Sequence, residues 1–301
     1  MNFQEIKNPY ISKEEIDRLL EIATNNPMYT KSGGNNKCFV IDDYAVLKTS
    51  NIEGHTENFD KIIEDIYELK NMGVNVTPIL GYAIVQYGTP YYNGARYDSG
   101  FIIQERAKGQ ELLNYHDTPR SSSTNTQENR DKVLNYCQML YNAPQEHFDK
   151  FVADYKMITD KKISIDASKL TNFFYDHDKG FSFIDMNFYS NENEFDKLDV
   201  EGNSSHRLFI CHILSLTNRI PLQSYEGIPY YSPEECEFIK MSMCSVVQKM
   251  QQSLLKIGVS EQDIQNVFKE PQSSKGTDVV FRLFDFKDMG EILDYANQST
   301  M

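Results

Sequence analysis

The order of the predicted elements is the feature that most limits how this chain can fold. The first part of the chain is rich in strand patterns, whereas the rest is mainly helical with a small strand-rich insert. Strands and helices are therefore segregated rather than alternating, which favours an α+β fold over a doubly wound parallel sheet. The predicted strands cover 37–41, 44–48, 77–86 and 100–104, and the predicted helices cover 12–24, 56–72, 131–142, 145–158 and 232–257.

Local signals mark two helix starts and one loop. Ser12 with Glu15, and Ser232 with Glu235, have the spacing of a capping box, in which two side chains satisfy the free N–H groups of a helix start. The polar segment 119–130 shows no periodicity and is predicted to be a mobile loop.

The composition excludes several classes of partner. The 301 residues include 30 Lys and Arg against 44 Asp and Glu, which gives a net charge of −14. Binding to nucleic acid or to an anionic membrane surface through bulk charge would be repulsive, so neither partner is expected. Hydrophobic residues make up 40% of the chain, which is typical of a globular protein.

The sequence also predicts a cytoplasmic protein. The N-terminal residues show no signal-peptide pattern, and no apolar run approaches the ~20 residues that a membrane span needs. The five cysteines are scattered without a CxxC spacing, so we expect reduced thiols rather than disulfides or a structural zinc site. The six histidines are equally dispersed, which argues against a zinc hydrolase.

Two features of the N-terminal part form a candidate phosphate-binding region. The apolar strand 44–48 ends in Lys48, which would place one positive charge at the mouth of a cleft. Upstream, Gly33 and Gly34 lie in a polar turn, and glycines let backbone amides approach a phosphate closely. An apolar strand at 101–104 then leads into a turn-rich stretch.

That stretch begins with Glu105, Arg106 and Ala107, here called the hinge segment. An extended backbone with unpaired N–H and C=O groups suits the recognition of a flat polar edge. Farther along, Asn172 precedes one short strand and Asp185 follows the next. A hairpin that joined them would bring an amide and a carboxylate together, which suits magnesium binding.

The order of these motifs resembles the protein-kinase-like superfamily, which includes protein kinases and aminoglycoside and choline phosphotransferases. The resemblance covers roughly residues 30–190 and is that of a divergent, bacterial-type member. It implies a bilobal fold, with a β-rich N-lobe over 1–105 and a mainly helical C-lobe over 106–301 that holds a catalytic-loop hairpin at about 163–189. It also implies ATP and Mg²⁺ as cofactors, and transfer of the γ-phosphate to a hydroxyl group of a protein or a small molecule.

The resemblance assigns roles to the N-terminal residues. Gly33 and Gly34 would form a shortened glycine-rich loop, and Lys48 would contact the α and β phosphates. An acidic residue on the helix at 56–72 would pair with Lys48. Counting back from the following loop favours Glu64, whereas the helical phase favours Asp65, and both remain candidates.

It also assigns roles to the later motifs. The backbone of the hinge segment would hydrogen-bond the adenine edge. Asp166 would be the catalytic base and Lys169 would touch the γ-phosphate, while Asn172 and Asp185 would bind magnesium.

The sequence departs from the family pattern at several points. Asp166 lies six positions before Asn172 where the family uses five, and Ala167 occupies the strict aspartate position. The chain has neither an HRD nor an APE motif. One alternative is therefore a catalytically inactive pseudokinase that binds a nucleotide or a partner. Another is a small-molecule kinase, which the missing activation segment and the acidic surface favour.

Overall fold

The structure, a computed structural model, describes residues 12–15, 17–18, 21, 28–32, 37–52, 59–90, 96–113, 118–119, 121, 123–161, 163–165, 172–184, 186–187, 229–269, 286 and 289–298. Over these residues the chain is mixed α and β, with small antiparallel sheets and a larger share of helix. The chain divides into two compact units. The first comprises Met1–Lys108, Lys161–Ser164 and Met186–Glu192, and the second comprises Gly109–Asp160, Ile165–Asp185 and Asn193–Met301.

The first unit is built on a five-stranded antiparallel sheet with the order β1-β2-β3-β5-β4. Its strands are β1 (Met28–Ser32), β2 (Lys37–Val40), β3 (Ala45–Ile52), β4 (Ile79–Pro90) and β5 (Arg96–Glu105). Four of these confirm predicted strands to within a few residues, whereas β1 was not predicted. The fifth strand in sequence inserts between β3 and β4, so the end of β5 lies beside the start of β3.

One helix, α1 (Phe59–Asn71), separates β3 from β4 along the chain and confirms the predicted amphipathic helix. Its buried stripe consists of Ile63, Ile66 and Leu69, each at most 1% exposed, at the spacing of one helix face. The helix ends at Asn71, and Gly73 just beyond it adopts φ +89°, a left-handed conformation that costs other residues steric strain. The N–H of Val74 then donates to the carbonyl of Leu69 and satisfies the helix end.

The second unit is mainly helical. Its helices are α2 (Gln127–Asn142), α3 (Gln145–Asp160), α4 (Pro233–Lys256), α5 (Glu261–Lys269) and α6 (Met289–Gln298). The long helix α4 packs against α2, α3 and α6. The predicted capping box is present, because Ser232 accepts from the N–H of Glu235 and the Glu235 carboxylate accepts from the N–H of Ser232. None of the helices in the described ranges is both long and apolar enough to cross a bilayer.

The prediction of a loop over 119–130 is wrong at its C-terminal end. The Thr126 hydroxyl accepts from the N–H of Asn129 at 3.2 Å, so α2 begins at Gln127. Earlier in the segment, the N–H of Ser121 donates to the Thr124 hydroxyl at 3.0 Å. Short polar side chains make these local bonds without any hydrophobic periodicity, which is why the pattern did not reveal the helix start.

The second unit also contains a small sheet with the order β6-β8-β9. Its strands are β6 (Gln110–Glu111), β8 (Phe173–Asp176) and β9 (Gly180–Phe183). A separate pair is formed by β7 (Ser164–Ile165) and β10 (Met186–Asn187), of which Ser164 and β10 belong to the first unit. Gly109 precedes β6 with φ +85°, and a Cβ there would lie 2.1 Å from the carbonyl oxygen of Tyr175. The chain therefore needs glycine at the point where the hinge segment enters this sheet.

Candidate functional site

Lys48 lies on β3, in the interior of the five-stranded sheet. It is paired in register with Cys38 of β2 and Ile102 of β5, and its side chain is half-buried. Lys48 therefore lies on the predicted strand, but the prediction that the strand ends at Lys48 is wrong, because pairing with β5 carries β3 on to Ile52. Gly33 and Gly34, the predicted glycine-rich loop, lie outside the described residues.

The two acidic candidates on α1 lie in different surroundings. Glu64 is exposed, because it follows directly after a residue of the buried stripe and points away from it. The side chain of Asp65 is 20% exposed, and its Oδ1 lies 3.5 Å from the Nζ of Lys161. Glu68, one turn farther along the helix, lies 2.6 Å from the same ammonium group. Lys161 was not recognised in the sequence, because a lysine following a helix resembles any other surface charge.

The hinge segment is tied to the sheet through two of its three amides. The N–H of Glu105 donates to the carbonyl of Pro78 at 2.9 Å, and the N–H of Arg106 donates to the carbonyl of Tyr44 at 2.7 Å. Within the part of the chain that the structure describes, the N–H of Ala107 donates to no backbone group. Among the three hinge amides, that of Ala107 is therefore the one suited to a ligand.

The side chains of the hinge segment are anchored as well. The Glu105 carboxylate forms an ion pair with Lys70 in the last turn of α1. The Arg106 guanidinium lies 3.4 Å from the Asp43 carboxylate, in the turn between β2 and β3. The end of β5 is thus connected to both of the elements that flank β3 in the sequence.

Gln104, immediately before the hinge segment, is a buried polar residue that belongs to none of the sequence motifs. It is 5% exposed, and its Nε2 donates to the carbonyl oxygen of Thr77 at 3.0 Å and to the Thr77 hydroxyl at 2.9 Å. The sequence does carry one sign of this role, because Gln104 directly follows the apolar residues 101–103. A glutamine in such a strand is expected to be buried, and a buried side-chain amide requires hydrogen-bond partners.

The predicted magnesium ligands flank the β8–β9 hairpin. Asn172 immediately precedes β8 and is 4% exposed. Phe173 and Phe183 are opposite each other in register, and the N–H of Ile184 donates to the carbonyl of Asn172 at 3.1 Å. The hairpin therefore brings Asn172 beside Ile184, which directly precedes Asp185 in the sequence. Asp166, Lys169 and Asp185 themselves lie outside the described residues.

An aromatic cluster holds this hairpin on α3. Phe151 stacks on Phe183 with a centroid distance of 5.3 Å and an interplanar angle of 7°, and it meets Phe173 edge-on at 5.6 Å. Phe181 lies 5.0 Å from the same ring, and all four rings are at most 2% exposed. Interlocked aromatic rings of this kind fix the hairpin rigidly against the helix.

The described residues contain no group of three or more His, Cys, Asp and Glu side chains that could hold a metal ion. The magnesium site that the sequence predicts instead combines the Asn172 amide with the Asp185 carboxylate. Of these two residues the structure describes Asn172.

No family model matches the chain, and no curated protein matches it. One solved structure that the fold resembles is a GDP complex of an aminoglycoside 2′-phosphotransferase variant. The two chains share 10% sequence identity, the match covers 84% of this chain and 97% of the other, and the TM-score is 0.26. A likeness this weak leaves the function to be argued from the chain's own residues.

Proposed function

We propose that this protein is a kinase-like phosphotransferase that binds ATP with magnesium and transfers the γ-phosphate to a hydroxyl group. The observation that carries this proposal is the hydrogen bond between Ile184 and Asn172. It closes the base of the hairpin beside Asn172, and Asp185 is the next residue along the chain. The proposal pairs Asn172 with Asp185, 13 positions later in the sequence, as the two oxygen ligands of the metal.

The donor set fits the proposed metal. An amide oxygen from Asn172 and a carboxylate from Asp185 are hard oxygen ligands, which Mg²⁺ prefers together with phosphate oxygens. Asn172 and Asp185 would hold the metal, and the chemistry it would supply is neutralisation of the charge that develops on the phosphates. The burial of Asn172 restrains its side chain, which favours a fixed ligand geometry.

The remaining roles follow the order of the motifs. Lys48, on an interior strand, would contribute one positive charge to the phosphates, and the N–H of Ala107 would donate to the adenine edge. Asp166 would accept the proton of the acceptor hydroxyl, and Lys169 would contact the γ-phosphate. The net charge of −14 favours a neutral or cationic acceptor, whether protein or small molecule.

The proposal is tested by the melting temperature in the presence of Mg-ATP. A ligand at 100 times its Kd stabilises the folded state by about 2.7 kcal/mol, so we expect a rise of several degrees. Asp185→Ala should remove most of that rise. The matched control is Asp178→Ala, which deletes an exposed aspartate at the opposite end of the same hairpin and should retain the rise. No rise in the wild type at millimolar Mg-ATP would reject the proposal.

A nucleotide-binding pseudokinase is the second candidate, and Ala167 at the strict aspartate position favours it. The two candidates differ in turnover. An active enzyme releases ADP from Mg-ATP, and Asp166→Ala should slow that release by a factor of about 10² or more. A wild type that binds Mg-ATP without releasing ADP would instead be a pseudokinase, whereas equal, measurable turnover in the wild type and Asp166→Ala would exclude Asp166 as the base.

A further inference from the structure

The end of β5 is tied to the two residues that precede β4. The Gln104 side chain donates from Nε2 to the carbonyl oxygen of Thr77 at 3.0 Å and to the Thr77 hydroxyl at 2.9 Å. The next residue continues the contact, because the N–H of Glu105 donates to the carbonyl oxygen of Pro78 at 2.9 Å. Two consecutive residues at the end of β5 therefore bind two consecutive residues of the turn before β4.

The local sequence and the burial of this contact both restrict its geometry. A proline confines the residue before it to extended backbone conformations, so Pro78 limits the directions in which the Thr77 carbonyl can point. Thr77 is 4% exposed and Gln104 is 5% exposed, so water competes little for these hydrogen bonds. Loss of the Gln104 amide would deprive two buried acceptors of that donor, which makes the contact costly to break.

The hinge segment is held on its other side by β3, since β5 lies between β3 and β4 in the sheet. The N–H of Arg106 donates to the carbonyl oxygen of Tyr44 at 2.7 Å. Ala107 is the next residue and lies three positions after Gln104, and all of these residues belong to the first compact unit. Three residues span at most about 11 Å, so a shift of the end of β5 against the start of β4 would also move the Ala107 amide.

We infer that Gln104 is a positioning residue: its two hydrogen bonds to Thr77 set the place of the Ala107 amide, and with it the recognition of the adenine base. The inference rests on the proposed function, since the Ala107 amide meets a base only there. Gln104 acts through the backbone of the hinge segment and not by contact with the nucleotide. The phosphate contacts are assigned to Lys48 and to the metal ligands, so loss of the Gln104 bonds should weaken recognition of the base alone.

The first test uses calorimetric titration to compare Mg-ATP with magnesium tripolyphosphate, which carries three phosphates and no base. A hydrogen bond that is misdirected loses much of its contribution, so Gln104→Leu should weaken Mg-ATP binding about 3- to 10-fold. Binding of tripolyphosphate should stay within about twofold of wild type. Thr77→Val removes the hydroxyl but keeps the backbone acceptor and should give a smaller loss, whereas Thr77→Ser keeps both acceptors and should bind as wild type does.

The matched control is Ile63→Val, which removes one buried carbon from α1 and leaves the contact between Gln104 and Thr77 intact. It destabilises the same compact unit and should change neither affinity. If Gln104→Leu bound Mg-ATP as wild type does, or lost affinity for both ligands equally, Gln104 would not position the hinge segment for the base.

The second test is amide hydrogen exchange over residues 105–107 without nucleotide. Gln104→Leu should accelerate exchange there severalfold, because the end of β5 loses its tie to the turn before β4, whereas Ile63→Val should not. Unchanged exchange in Gln104→Leu would overturn the inference whatever the affinities are. A wild type that shows neither binding of Mg-ATP nor a melting shift would overturn the proposed function instead, and the exchange result would still decide whether Gln104 positions the hinge segment.

Discussion

The side-chain amide of Gln104 donates two hydrogen bonds to Thr77, one to its carbonyl oxygen at 3.0 Å and one to its hydroxyl at 2.9 Å. Both residues are at most 5% exposed. The bonds join the last turn before β4 to the final part of β5, directly before the hinge segment. Because buried polar groups are costly to leave unpaired, this pair fixes the position from which the hinge segment starts.

Replacing Gln104 with leucine should therefore destabilise the protein. The substitution conserves much of the volume but removes the donor from two buried acceptors, at a cost of about 1–3 kcal/mol. The measurement is the urea concentration at the midpoint of unfolding. The change in the free energy of unfolding is obtained from it with the same urea dependence for all variants. Gln138→Leu on the exposed face of α2 is the matched control, with an expected change within about 0.5 kcal/mol. Equal midpoints for the two variants would contradict this role for Gln104.

Truncating Phe151 should loosen the hairpin that bears the predicted metal ligands. The ring contacts Phe173, Phe181 and Phe183, so Phe151→Ala leaves a cavity among them and should cost about 3–5 kcal/mol. Phe174→Ala removes an only half-buried ring from the same hairpin and should cost clearly less. Thermal unfolding of the two variants measures the difference, and a comparable loss in both would show that the cluster does not anchor the hairpin.

A network between α3 and α4 should make stability depend on acid pH. Burial acts to raise the pKa of Asp149, but hydrogen bonds from Lys256, Gln145 and Ser253 outweigh it and hold that pKa below its ordinary value. The folded carboxylate is therefore harder to protonate than the unfolded one. Its contribution to stability is complete above about pH 4 and is lost as the pH falls further, toward the folded pKa.

Asp149→Asn should accordingly be less stable than wild type at neutral pH but should lose less stability on acidification. Urea midpoints measured at intervals between about pH 7 and about pH 2.5 give the two slopes. Lys256→Met should also reduce the loss of stability on acidification, because it removes the main charged partner of the carboxylate. Parallel pH profiles for wild type and Asp149→Asn would show that this aspartate does not contribute.

Much of the local structure was predictable because its causes lie within a few residues. The stripe of Ile63, Ile66 and Leu69 located α1, and the capping box at Ser232 located the start of α4. The strand β1 was missed because its last three residues are all polar and its partner is set by the sheet. Edge strands of this kind depend on tertiary pairing more than on their own pattern.

The candidate site was predictable only where its residues lie close together in the sequence. The spacing of Asn172 and Asp185 around two apolar strands indicated a hairpin, and the described part of that hairpin is present. The contact of Lys161 with Glu68 joins residues 93 positions apart, and the contact of Gln104 with Thr77 joins residues 27 positions apart. Many charged and polar residues could form such pairs, so the sequence does not select among them. The roles assigned to the site residues remain predictions, both for the described ones such as Lys48 and Asn172 and for those outside the described ranges.

The amide of Ala107 provides a separate test of the nucleotide site. Its neighbours Glu105 and Arg106 donate their N–H groups to Pro78 and Tyr44, and the proposed function assigns the Ala107 N–H to the adenine edge. Ala107→Pro removes that donor, and the loss of one such hydrogen bond should weaken Mg-ATP binding about tenfold. Ala107→Ser keeps the amide and should bind as wild type does.

Calorimetric titration gives the affinities of both variants for Mg-ATP. Unfolding without nucleotide shows whether the proline has disturbed the fold, because a proline also restricts the backbone of the residue before it, Arg106. Equal affinities of the proline and serine variants would show that the Ala107 amide does not bind the adenine edge. The proposed metal ligands would not be affected by that result.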